Sequence, residues 1–125
     1  MILLDTSVLV EGLGAGGTMR QQLRDTISRR ERLAIPTLVL YEWLRGPRVE
    51  EELAAQEALF PASDSVPFGP DEARLAADLY RKVSRPRGRE IDLAIAACAL
   101  SWRCTLWTLN VGDFSDIPGL ELRGS

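Results

Sequence analysis

Residues 1–13 read MILLDTSVLVEGL. Ile2 to Leu4 have the composition of a short buried strand, and Asp5 follows them at once. A carboxylate at the end of such a strand is either open to water or held by other charges or a metal. The meaning of Asp5 therefore depends on what the rest of the chain places beside it.

Outward from this stretch, Val8–Val10 form a second apolar group and GLGAGG from Gly12 reads as a flexible loop. A helix is expected from about Thr18 to Arg30, with Met19, Leu23 and Ile27 as its apolar stripe. Leu33–Ile35 is a second short strand. In PTLVLYEWLRG, Thr37 is expected as N-cap and Gly46 as the residue past the end, which predicts a helix over 38–45. A helix through EEELAAQEALF ends before Pro61, and Ser65–Phe68 offers an edge strand. Another helix begins near Pro70, with Ala73, Ala76, Leu79 and Tyr80 facing inward, and stops before SRPRG. REIDLAIAACALSW is a very apolar helix, CTLWTL a strand and GLELR a last short strand. Strands separated by helices predict an α/β fold with a mostly parallel twisted sheet of four to five short strands. The 125 residues fit one domain, 1–125, without repeats or a low-complexity linker.

Apolar residues make up 46% and charged residues 26%, an ordinary globular mixture that argues against disorder. Cys98 and Cys104 have no CxxC spacing, and the chain has no histidine, so neither a disulfide scaffold nor a zinc site is expected. The N-terminus lacks a basic leader and no segment has the length of a membrane helix, which together predict a cytoplasmic protein. A net charge of −3 does not advertise a nucleic-acid binder. The charge is uneven, however. Residues 20–48 carry seven arginines against three acids, and RKVSRPRGR at 81–89 holds five basic side chains and no acid. These stretches suit an RNA backbone or an acidic protein partner alike, and equally a solvated surface.

Four acids stand where apolar periodicity asks for a neutral side chain: Asp5, Glu42, Asp92 and Asp113. Each alone has a plain structural account. Glu42 can pair with Arg45, and Asp92 suits a helix N-terminus. Brought together, they repel and need a cation. Magnesium is the natural one, with manganese a second choice, because both take hard oxygen ligands. Such a site activates water and neutralises a phosphoryl oxygen, the chemistry of phosphodiester hydrolysis, without any histidine. Thr6, Ser7, Thr108 and Asn110 can orient these carboxylates through their polar atoms. Asp5 and the residues after Thr108 both follow strands, which makes them candidates to share the crevice at the strand ends.

LLDTSVLV around Asp5, PTLVLYEWLRG around Glu42, RGREIDLAIAACAL around Asp92 and TLNVGDFSDIPGL around Asp113 resemble, in order and spacing, the PIN-domain ribonucleases. More narrowly, they resemble the toxin members of VapBC toxin–antitoxin pairs. The resemblance runs from residue 2 to about 122. It implies a parallel sheet flanked by helices and a magnesium-dependent endoribonuclease site. Asp5, Glu42, Asp92 and Asp113 match the family's metal-binding acids, and Thr6, Thr108 and Asn110 its supporting polar residues. It further implies a homodimer, a VapB-like antitoxin whose C-terminal segment crosses the active site, and transfer or ribosomal RNA as substrate. Trp107 and Leu109 are bulkier than such a site leads one to expect, and Leu109 stands where the family often has a basic residue.

Arg45, Arg48, Arg85, Arg87 and Arg89 are the candidates for RNA contacts. Trp43, with Leu38, Leu40 and Leu44, makes the helix around Glu42 apolar on more than one face, which suits either a partner or burial between helices. Three alternatives stay open beside the toxin. A PIN nuclease of RNA processing needs no antitoxin, and a non-catalytic binding module needs no acids. A phosphatase with an aspartate nucleophile expects an acid at position 7, where Ser7 stands, and a late core lysine that this chain lacks.

Overall fold

Leu3 and Leu4 have no exposed surface, because the strand that carries them, β1 (Ile2–Leu4), is central. It pairs in parallel with β2 (Leu33–Ala34) on one side and β3 (Thr105–Trp107) on the other, and β4 (Leu122–Arg123) adds beyond β3. The computed structural model describes residues 1–124, and its sheet has the order β2-β1-β3-β4. The chain leaves β1 towards one edge and returns on the opposite side to form β3. Strand order thus switches between β1 and β3, and a parallel sheet opens a binding crevice at the carboxyl ends of two such strands.

Six helices flank the sheet: α1 (Thr6–Leu13), α2 (Arg20–Ser28), α3 (Thr37–Arg45), α4 (Glu50–Leu59), α5 (Pro70–Lys82) and α6 (Glu90–Ser101). α6 is the central one, with every residue from Leu93 to Ala99 buried, and it packs chiefly on α5 and also on α3 and β3. Among the described residues no helix is long and apolar enough to cross a membrane.

Several expectations are corrected. Where the sequence suggests an apolar group and a loop, α1 forms instead; it buries Val8, Leu9 and Gly12 and starts directly after Asp5. Gly12 lets α1 approach α2 closely, since a Cβ there would stand 2.6 Å from Leu23 Cδ2. α2 is shorter than expected, and Ile27 is exposed while Thr26 is buried in its place, its hydroxyl donating to the Gln22 carbonyl at 2.8 Å. Thr37 is the first residue of α3, not its cap, and its hydroxyl turns to Ser65 and to the Val66 carbonyl. Gly46 ends α3 in extended backbone (φ −81°), with no left-handed turn. Ser65–Phe68 makes a single bridge, Pro36 to Val66, instead of a fifth strand. In α5, Tyr80 and Ala73 are exposed and Glu72 turns inward to accept a hydrogen bond from Ser101, which rotates the buried face towards Glu72 and Leu79. Both cysteines are free and buried.

Candidate functional site

Asp5 occupies the N-cap position of α1, yet its side chain caps nothing. Its backbone is fixed by both neighbours: its N–H donates to the Trp107 carbonyl at 2.9 Å, and its carbonyl accepts from Val8 and Leu9. The residue is 4% exposed, and its carboxylate accepts from Thr108 Oγ1 at 2.7 Å and from Ser7 Oγ at 2.9 Å. Both bonds fall on Oδ2, which leaves Oδ1 for another partner. Thr108, following β3, is fully buried and also accepts the Asn110 N–H at 3.0 Å. Ser7 Oγ in turn accepts the Leu109 N–H at 3.0 Å, so the two strand ends are tied by side chains that all converge on Asp5.

Glu42 reaches the same place from α3. Thr6 Oγ1 donates to its Oε1 at 2.6 Å, and Arg45 pairs with its Oε2 at 3.3 Å. Asp92 comes from the first turn of α6. Asp5, Glu42 and Asp92 line one open cavity of about 410 Å³, with Thr6, Ser7 and Asn110 among its polar wall and Val10 and Leu109 its apolar one. Burial, and next the charges of Asp5, Asp113 and Glu42, push the Asp92 carboxyl up to about 6, with Arg89 partly opposing them. Four acids far apart in sequence therefore share one electrostatic site.

Of the expected site residues, the structure gathers Asp5, Thr6, Glu42, Asp92 and Asn110 at the cavity and puts Thr108 directly beneath Asp5. Asp113 is outside the wall: it is exposed, in a short 3-10 turn (Val111–Asp113), and acts on the cavity through its charge on Asp92. Trp107 does not obstruct the site. It is buried in the sheet with the Arg123 guanidinium 3.9 Å from its ring.

Two residues escaped the sequence reading. Glu11 lines the cavity too, and its carboxylate accepts from the Thr18 N–H and hydroxyl. With α1 recognised, the four-residue step from Ser7 to Glu11 would have put both on one face. Asp116 is the second, and it changes the role of Arg89. That side chain makes a two-pronged pair with Asp116 (2.6 and 3.0 Å) and donates to the Asp113 carbonyl at 2.9 Å, locking the loop after β3 to the start of α6.

The acids do not close into a shell. Among the described residues no three acidic, cysteine or histidine side chains are gathered tightly enough to hold a cation by themselves. An open arrangement suits a small hard cation that keeps most of its own water. A second cleft, of about 430 Å³, lies elsewhere, between α1, α2 and α4, walled by Leu13, Leu23, Ile27 and Leu59. It contains none of the four acids.

Residues 2–120 match the PIN domain family. The chain is 37% identical over 123 residues to the ribonuclease VapC19 of Mycobacterium tuberculosis, covering 97% of this chain and 98% of that one. It is 34% identical over 132 residues to the ribonuclease VapC1 of Rickettsia felis, covering 97% and 93%. In fold it resembles a chain of the DNA-bound VapBC structure from Salmonella typhimurium, with a TM-score of 0.79 at 21% identity over 98% of this chain and 96% of that one.

Proposed function

The chain belongs to the PIN-domain family, and from that premise we propose that it is the toxin of a toxin–antitoxin pair, an endoribonuclease that hydrolyses RNA phosphodiester bonds. The ribonuclease names of its relatives support the activity, and the VapBC structures that share its fold support a VapB-like antitoxin as partner. One observation carries the reading: Asp5, Glu11, Glu42 and Asp92 line one open cavity, where burial and neighbouring carboxylates raise the Asp92 carboxyl above its ordinary range. A surface with no task for them would not keep four such charges together.

The donors fit a divalent cation, Mg²⁺ or Mn²⁺, because the cavity's titratable lining is carboxylate oxygen throughout. Asp5, Asp92 and Glu42 would hold it, with Asp113 contributing from the rim. When bound, such a cation acidifies a water and offsets charge on a phosphoryl oxygen. The protein's own part is orientation. Thr108 and Ser7 fix one oxygen of Asp5, Thr6 fixes one of Glu42, and the exposed Asn110 stands at the mouth as a polar contact for RNA.

Residues 1–125 act as one domain in this reading. The exposed Phe68 and Tyr80, beside a cavity between α5 and α6, support a homodimer. The buried free thiols suit the cytoplasm. Transfer or ribosomal RNA is the expected substrate.

The test is cleavage of total cellular RNA by the purified wild type and by Asp5→Asn, with Mg²⁺ and with EDTA, mapping ends at nucleotide resolution. Metal-dependent cuts at one or a few sites, leaving 5′-phosphate and 3′-hydroxyl ends and lost in the variant, are expected. Cyclic phosphate products, or undiminished cutting in EDTA, would sink the proposal.

A further inference from the structure

We propose that Tyr41 and Arg45, on the outer side of α3, form a subsite that grips single-stranded RNA beside the acid cavity, Arg45 on a phosphate and Tyr41 against a base. The inference rests on the nuclease reading above and adds to it the residues that hold the substrate.

The structure separates arginines that sequence places together. Arg48 lies over the Trp43 ring at 4.0 Å and donates to the Trp43 carbonyl at 2.9 Å, so its guanidinium is committed to the protein. Arg89 is committed to Asp116 and the Asp113 carbonyl. Arg85 and Arg87 are exposed but lie outside the cavity wall. Arg45 alone of the five touches an acid of the cavity: it is 54% exposed and pairs with Glu42 at 3.3 Å. The contact with Glu42 engages one nitrogen of the exposed guanidinium, which leaves further donors of the fork free for another anion.

Tyr41 supplies the second half. The residue is 53% exposed, and the Arg45 guanidinium stands 5.1 Å from its ring centroid. The four-residue step between them puts both on one helix face, and Glu42 connects that face to the cavity. A guanidinium engages phosphate oxygens in a fork, and a phenol ring stacks on any base, so the two match the two halves of one nucleotide. The chain is acidic overall and its site is lined with carboxylates, which repel RNA, so a cation at the cavity's edge must offset them locally.

The experiment is fluorescence anisotropy with a labelled 20-nucleotide single-stranded RNA of mixed sequence, in EDTA, on protein silenced by Asp5→Asn. Arg45→Ala is expected to weaken binding by about tenfold and to reduce the salt slope by about 0.7, one phosphate's share, with Arg45→Lys recovering the slope. Tyr41→Leu is expected to weaken binding by about tenfold at unchanged slope, with Tyr41→Phe binding like the parent. Both positions are exposed, and unaltered thermal melts will show that the variants fold. Parent-like affinity in both Arg45→Ala and Tyr41→Leu overturns the subsite and leaves this face to a protein partner. So does failure of the Asp5→Asn parent to bind RNA. Neither result touches the nuclease reading, which is decided separately by wild-type cleavage.

Discussion

Thr108 has no exposed surface, and its hydroxyl serves both Asp5 and the Asn110 N–H. Thr108→Val keeps the shape, leaves the Asn110 N–H without its acceptor and leaves Asp5 with Ser7 as its one side-chain donor, so a loss of about 1–3 kcal/mol is expected, read as a lower urea midpoint at unchanged slope. RNA cleavage should fall as well, because Asp5 loses a bond that sets its rotamer. Asp92 is expected to behave in the opposite way. Its carboxyl titrates higher in the folded chain than in the unfolded one, so the metal-free fold is penalised above pH 6 and relieved as pH falls towards 4. In EDTA at pH 7.5, Asp92→Asn should therefore melt higher than wild type, by about 1 kcal/mol once the group's partial exposure is allowed for. The gain should shrink as the buffer approaches pH 4; a constant gain would mean that charge is not its origin. The four acids were legible because each interrupts an apolar pattern. Glu11 was not, because a glutamate before a glycine-rich loop looks like any solvated side chain until the helix beneath it is known.

Two elements show what local pattern conveys and where it stops. α6 was plain, since its apolar run can only be buried. α1 was missed because its eight residues are too few for a helical period to establish itself, and because the residue at its cap position spends its carboxylate on the site. The inward face of α5 is not legible in its own sequence, because Ser101 gives Glu72 a buried partner, a long-range fact that no single helix displays. Arg89 belongs at this scale too, as the clamp between the start of α6 and the loop that carries Asp113 and Asp116. Arg89→Ala should cost about 1–3 kcal/mol, the worth of charge-assisted bonds. It should also raise hydrogen exchange at residues 111–117 and leave exchange in α4 unaltered. Uniform exchange changes along the chain would contradict a local clamp.

At the scale of the whole molecule, the parallel sheet was legible from strands alternating with helices, while its order was not, because crossover direction leaves no local mark. That order makes the site a joint property of distant segments. Mg²⁺ should accordingly raise the melting temperature of the wild type, by about 2.7 kcal/mol of stabilisation at a hundredfold excess over the dissociation constant. Asp5→Asn should lose most of that response; an equal response would place the cation elsewhere. The contact between Asp5 and Thr108 spans 103 positions. During synthesis the first acid therefore leaves the ribosome long before the hydroxyl that orients it, at a pace of about 5–20 residues per second. A nascent chain therefore has no assembled site, and cleavage must wait until translation is almost over.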